Sequence, residues 1–205
     1  MLWVDYILIT KYRCYNSTMK SSIGQAIVDN KIVHIPSAFA EVPGWDTFYE
    51  IFKTADSSNN FATRTFGTFG IDRAETLTDN FDNLISVANE SHPQQKVSVL
   101  AIIHFLSAND NNIPEEAKNF YNDFRASSTE QVPPGFQQYM IPTRHSDPVD
   151  GIFIQCTGKT LWTAYYADST ESFVVHPGDA MFIPKGIEHT VETLEPRTAI
   201  SIGMA

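Results

Sequence analysis

The sequence predicts a mainly β fold with flanking helices, and two features of its C-terminal third carry that prediction. From Phe136 onward, short strand-like segments follow one another closely. Turn residues such as Gly158, Gly178 and Gly186 separate these segments at short intervals. Short strands with frequent turn signals are typical of an antiparallel sandwich or barrel.

Seven strands are predicted in this part of the chain. They cover residues 136–142, 150–157, 159–166, 172–176, 179–183, 187–193 and 197–203. Residues 126–135, which are rich in Ser, Thr and Pro, form the linker that precedes them. The metal-site candidates discussed below all lie after this linker.

The N-terminal portion, residues 1–135, has a mixed α/β pattern. Trp45 and Phe48 recur at helical spacing and predict a helix over 45–55. The other predicted elements are strands at 3–9, 31–36 and 61–69, helices at 77–88 and from Pro114 to Arg125, and a run at 97–106 that fits either a buried strand or a helix. We expect one domain over 1–205, with 1–135 packed on a β-barrel core formed by 136–205.

Bulk properties restrict the class of protein. With 205 residues, 42% of them hydrophobic, the chain is long enough to bury a core. Its 24 acidic residues outnumber 14 Lys and Arg, which disfavours nucleic acid as a partner. Cys14 and Cys156 make no metal or disulfide framework, so we expect a reducing, cytoplasmic setting. No apolar run approaches the roughly 18 residues of a membrane span, so no membrane association is expected.

A frame of glycine and proline surrounds His189. Gly178, Pro184, Gly186 and His189 keep the spacing G-x5-P-x-G-x2-H. The stretch resembles the second sequence motif of the cupin superfamily, except that Thr193 stands where that motif ends in Asn. The resemblance implies a double-stranded β-helix, or jelly roll, with His189 on a strand and directed inward.

A second pair of candidates lies at His145 and Asp147. Residues two apart on a strand share a face, so both side chains can point into the barrel. Together with His189 they would supply two imidazoles and one carboxylate, the facial triad that holds non-haem Fe(II). The alternative is that His145 and Asp147 form a surface turn pair and that His189 is a core imidazole.

The residues that follow His145 extend this resemblance. Gln155, Gly158 and Trp162 keep the Gln-x-x-Gly-x-x-x-Trp pattern of the Jumonji-C type 2-oxoglutarate oxygenases, and the similarity covers roughly 136–204. It implies that His145, Asp147 and His189 bind Fe(II) and are the catalytic centre. The Jumonji-C pattern fails at one point, because Thr160 occupies the position of the co-substrate lysine. Lys159 lies one residue away and is expected to point outward.

An oxygenase of this type also needs a cation for the distal carboxylate of 2-oxoglutarate. Arg197, followed by Ser201, is similar to the arginine of the prolyl-hydroxylase branch, and a guanidinium can hold a carboxylate with two parallel hydrogen bonds. Arg197 and Ser201 are four residues apart on a predicted strand and so face the same way. Tyr139 could contact the same carboxylate. The alternatives are a solvent-exposed turn for Arg197 and a core position for Tyr139.

The resemblance therefore implies an Fe(II)- and 2-oxoglutarate-dependent oxygenase that hydroxylates a C–H bond. One alternative is a cupin that binds a metal without 2-oxoglutarate, acting as an isomerase or a direct dioxygenase. Another is a non-enzymatic ligand-binding barrel. The substrate, a small molecule or a protein side chain, and the oligomeric state are not specified by the sequence.

Overall fold

The computed structural model describes residues 26, 28–58, 61–65, 68–72, 97–105, 112–127 and 144–204. The predicted elements at 3–9, 77–88 and 136–142 lie outside these residues, and so does Tyr139. The described part contains ten strands and two α-helices with both ends defined, besides helical residues 26, 28 and 29. The strands are β1 (Val33–Ile35), β2 (Phe61–Thr65), β3 (Thr68–Asp72), β4 (Val97–His104), β5 (Asp150–Thr157), β6 (Thr160–Tyr165), β7 (Thr170–Val175), β8 (Ala180–Ile183), β9 (Glu188–Thr193) and β10 (Arg197–Met204). The helices are α1 (Trp45–Ser58) and α2 (Lys118–Ser127).

Three N-terminal predictions are sharpened or corrected. The ambiguous run at 97–106 is strand β4, because it pairs along its whole length with β10. The strand predicted over 61–69 is instead a hairpin, in which Thr65 pairs with Thr68. The helix predicted to start at Pro114 opens with a 3₁₀ turn over Glu115–Ala117 before α2 begins.

The strands form two antiparallel sheets. One has the order β1-β8-β5-β10-β4-β3-β2, and the other has the order β7-β6-β9. Their facing side chains make one hydrophobic cluster, to which the larger sheet contributes Phe153, Met181, Ile183 and Ala199 and the smaller contributes Trp162, Ala164 and Val175. This arrangement is the predicted cupin-type jelly roll, and the C-terminal strands follow the predicted boundaries within two residues.

An aromatic cluster packs helices α1 and α2 near the end of β4. Trp45 stacks on Phe105 with ring centroids 5.4 Å apart, and Phe120 meets Phe105 edge-on at 5.3 Å. Burial of these rings on one face explains the helical spacing of Trp45 and Phe48. None of the helices described is both long and apolar enough to cross a membrane.

Two glycines close the turns that align the strands. Gly178 has φ of +89°, and a Cβ there would lie 2.7 Å from the carbonyl oxygen of Phe39. Gly158 has φ of +65°, and a Cβ there would lie 2.1 Å from the carbonyl oxygen of Pro196. Both positions therefore require glycine. The turn at Gly158 holds the start of β10, and with it Arg197.

Candidate metal centre

His145 and His189 are directly opposite each other across an isolated antiparallel bridge. The His145 amide donates to the His189 carbonyl oxygen over 3.0 Å, and the His189 amide donates to the His145 carbonyl oxygen over 2.7 Å. The two imidazole rings then lie 4.4 Å apart, centroid to centroid. Backbone pairing, rather than a side-chain contact, thus fixes the separation of the two imidazoles.

The neighbouring residues strengthen this pairing. Arg144 forms an ion pair with Glu188, so the residues just before the two histidines are joined as well. The Arg144 guanidinium also lies 4.2 Å from the ring centroid of Tyr165, a cation–π contact.

Asp147 reaches the same point from a loop. The Gly186 amide donates to its backbone carbonyl over 2.9 Å, and the Lys185 amide donates to Asp150 Oδ1 over 2.7 Å. These two bonds tie the loop to the turn of the Gly/Pro frame. The side chains of His145 and Asp147 were predicted to meet because they share one face of a strand. That reason is wrong, since neither residue lies in a regular strand. The loop nevertheless brings their side chains together.

His189 has the protonation pattern that a metal ligand needs. Its Nδ1 lies 3.0 Å from the carbonyl oxygen of Ile187, which can only accept, so Nδ1 carries the proton. The lone pair is therefore on Nε2, which lies 3.8 Å from Asp147 Oδ2. Burial is the main cause that lowers the pKa of His189, which favours the neutral ring at neutral pH.

One potential ligand atom from each of His145, Asp147 and His189 lies within 4.8 Å of the others. His189 is buried, the Asp147 side chain is 44% exposed, and His145 is exposed. The cluster thus lies at the mouth of the jelly roll, with one side against the core and the other open. Two imidazole nitrogens and one carboxylate can chelate a divalent transition metal and leave coordination positions free.

Arg197 lies inside the jelly roll, at the start of β10. The residue is only 6% exposed, and its guanidinium is 5.6 Å from the ring centroid of Phe153. Burial lowers the pKa of Arg197 to about 10, so it is still cationic at neutral pH. Among the described residues, no carboxylate pairs with it and its Nη1 has no hydrogen-bond partner. The alternative of a solvent-exposed turn arginine is therefore wrong.

Two residues that the sequence analysis did not select hold this guanidinium. Arg197 Nε donates to Thr193 Oγ1 over 3.1 Å, and Thr193 Oγ1 is 2.6 Å from His104 Nδ1. Burial, followed by the charge of Arg197, lowers the pKa of His104 to about 3, so this ring is neutral beside the cation. The sequence signal for Thr193 is its position at the end of the Gly/Pro frame, where the cupin motif has Asn.

The other predicted residues have different positions. Ser201 is half-buried on β10 opposite Phe153 and shares the inward face with Ala199 and Arg197. Lys159 pairs with Glu195 over 2.7 Å, and its side chain is 40% exposed, consistent with the outward direction expected for it. Of the two cationic candidates, Arg197 is thus the one enclosed by the jelly roll.

Two solved structures of YcfD from Escherichia coli, described as a ribosomal oxygenase, resemble the whole described fold. One is 12% identical with a TM-score of 0.57, and the match covers 96% of this chain and 53% of YcfD. The other is 13% identical with a TM-score of 0.58, and it covers 96% and 55%. The chain thus spans about half the length of YcfD. No protein-family model and no curated protein sequence matches the chain. At these identities the similarity establishes the jelly-roll fold and nothing finer.

Proposed function

We propose that the protein is an Fe(II)- and 2-oxoglutarate-dependent oxygenase that hydroxylates a C–H bond. The observation that carries this proposal is the cluster of His145, Asp147 and His189, whose potential ligand atoms lie within 4.8 Å of one another. YcfD is described as an oxygenase, so this scaffold is compatible with oxygenase chemistry.

The donor set fits Fe(II). Two imidazoles and one carboxylate on one side of the ion leave the opposite side for an oxidant and a co-substrate. The hydrogen bond from His189 Nδ1 to the Ile187 carbonyl orients one imidazole and increases its basicity as a ligand. His145 is held by the backbone bridge, and Asp147 by the turn at Gly186.

The buried cation fits the acid of a co-substrate. An enclosed guanidinium without an anionic partner is costly, and a carboxylate whose two oxygens accept hydrogen bonds from it offsets that cost. Arg197 would hold the distal carboxylate of 2-oxoglutarate, with Thr193 fixing the orientation of its Nε side. When bound, Fe(II) and 2-oxoglutarate would supply the oxidising chemistry, in which one atom of O₂ enters the substrate C–H bond and the other enters succinate as CO₂ is released.

The chain's own residues contribute positioning and exclusion of water. Phe153 and Trp162 line the interior between the metal cluster and Arg197, with ring centroids 4.9 Å apart. Their apolar surface would keep water from the bound keto acid, while the exposed side near His145 leaves access for a substrate.

Anaerobic calorimetry followed by product analysis tests this proposal. We expect protein loaded with Fe(II) to bind one 2-oxoglutarate per chain and to form succinate when O₂ and ascorbate are added. Asp147→Ala should lose both properties, whereas Asp168→Ala, which removes an exposed acid, should retain them. Metal-loaded protein that binds no 2-oxoglutarate would instead support a metal-dependent cupin of another reaction class. Protein that binds no metal would leave only a ligand-binding jelly roll.

A further inference from the structure

Trp162 occupies the interior between the two halves of the proposed site. It lies on β6 and is 5% exposed. Its ring stacks on the His189 imidazole with centroids 5.3 Å apart and an interplanar angle of 21°. Its ring also packs edge-on against Phe153, and the Arg197 guanidinium lies 5.6 Å from the Phe153 ring centroid. Trp162 and Phe153 thus connect the metal cluster to the buried cation.

The indole nitrogen of Trp162 is buried without a hydrogen-bond partner among the described residues. An indole N–H can only donate, and buried donors in native proteins are nearly always satisfied. Trp and Tyr in a core normally find a partner for their polar atom. If Trp162 only packed in the core, Phe could fill this position without leaving an unsatisfied N–H.

A second unsatisfied donor lies beside the Phe153 ring, which contacts both Trp162 and Arg197. Arg197 Nη1 is also buried and unpartnered within the described part of the chain. Both groups donate and neither can accept, and one of them is cationic. A single ligand that satisfied both would have to be rich in acceptors and negatively charged, which are the properties of a dicarboxylate.

We infer that Trp162 is a ligand-binding residue, whose indole N–H donates a hydrogen bond to the acid that lies between the metal cluster and Arg197. This inference rests on the proposed function, since 2-oxoglutarate is the acid in question. Trp162 would then bind the ligand as well as pack in the core. Its neutral indole N–H would act beside the cationic guanidinium of Arg197.

Proton NMR of the indole groups tests this contact directly in the intact protein. The chain has three tryptophans, Trp3, Trp45 and Trp162, so protein labelled with ¹⁵N gives three indole signals. Trp3→Phe and Trp45→Phe assign them. In protein loaded with diamagnetic Zn(II), saturating 2-oxoglutarate should move the Trp162 indole proton downfield and slow its exchange with solvent. The Trp45 signal, from the aromatic cluster of the helices, should stay in place.

Calorimetry on a variant gives an independent result. Trp162→Phe retains an aromatic ring but has no N–H, so its affinity for 2-oxoglutarate should fall about 10- to 100-fold, as expected for a hydrogen bond to a charged acceptor. Its metal stoichiometry should be unchanged, and Trp45→Phe should bind 2-oxoglutarate like the wild type. Should Trp162→Phe not fold, the NMR result on the wild type decides.

The outcomes separate this inference from the proposed function. Wild-type protein that binds metal but no 2-oxoglutarate contradicts both. If the wild type binds 2-oxoglutarate while the Trp162 indole signal does not move downfield, the inference is overturned and the proposed function stands. Unchanged affinity in Trp162→Phe would overturn it in the same way.

Discussion

Arg197 donates its Nε–H to Thr193 Oγ1 over 3.1 Å, inside a jelly roll that offers this guanidinium no carboxylate among the described residues. The same hydroxyl lies 2.6 Å from His104 Nδ1. Since His104 is held neutral, the chain fixes the cation in place without neutralising it. A binding site prepared for an anion has this property, because its cation is already oriented and its charge is uncompensated.

Replacing Arg197 should separate binding from stability. Arg197→Met removes a buried, unpaired charge, so the free energy of unfolding of the metal-free protein should rise by about 1 kcal/mol or more. Affinity for 2-oxoglutarate should fall about 100-fold or more, because the ligand's carboxylate loses its cation. Urea unfolding and calorimetry measure the two effects. Lys159→Met is the control, since its side chain pairs with Glu195 at a half-exposed turn and should leave the affinity unchanged.

Replacing Thr193 should weaken the binding of 2-oxoglutarate without changing the rate of the chemical step. Thr193→Val preserves shape but removes the hydroxyl between Arg197 and His104. We expect the KM for 2-oxoglutarate to rise about 2- to 10-fold with kcat nearly unchanged, because the guanidinium keeps its charge and loses one orienting hydrogen bond. Thr190→Val alters the opposite face of β9 and serves as the control. A fall in kcat at constant KM would contradict the positioning role.

His104 should make the protein less stable in acid. Its pKa is about 3 in the folded state and near 6.5 in the unfolded state. As the pH falls from 6.5 towards 3, the unfolded chain binds a proton that the folded protein does not. The free energy of unfolding should therefore decrease by up to about 1.4 kcal/mol per pH unit from this group. Above pH 6.5 the contribution is constant.

Urea unfolding at pH 7 and pH 4.5, with a chelator present, measures this effect. His104→Gln should lose less stability between the two pH values than the wild type does. The exposed His176, replaced in the same way, should leave the difference unchanged. Equal pH dependence in wild type and His104→Gln would show that the His104 imidazole is not its source.

Gly158 should tolerate no side chain. Alanine there would place Cβ 2.1 Å from the Pro196 carbonyl oxygen at a φ of +65°, so we expect a loss of more than about 2 kcal/mol in stability and weaker 2-oxoglutarate binding. Gly186 has a positive φ but open space around the Cβ position, so Gly186→Ala measures the cost of the backbone conformation alone. Gly44→Ala has neither constraint and should be nearly neutral. Thermal unfolding should rank the three variants in that order.

The β-strands from residue 150 onward could be predicted because glycine and proline mark their turns. Gly158 and Gly178 are required by backbone contacts that no other residue permits, so their signal is strong. The run that became β4 was ambiguous, since its pairing with β10 is a tertiary interaction between distant segments. The alternation over 61–69 predicts one strand because it continues through both arms of the hairpin.

The candidate metal cluster was predicted from its residue types, but the supporting residues were not. Asp147 was expected on a strand, whereas the Gly186 amide holds it in a loop. His104 has no local pattern that marks it, and it lies opposite Arg197 only because β4 and β10 are paired. Thr193 is marked as the end of the Gly/Pro frame, but nothing in that frame indicates its hydrogen bond with Arg197. Contacts that depend on strand order are inaccessible to a reading of local sequence.

Metal stoichiometry tests the central claim most directly. The purified protein is incubated anaerobically with Fe(II), dialysed and analysed by mass spectrometry for bound iron. We expect one iron per chain in the wild type and in His176→Ala, and none in His145→Ala, Asp147→Ala or His189→Ala. Iron retained in all three cluster variants, or absent from the folded wild type, would contradict the claim that these side chains form one metal centre.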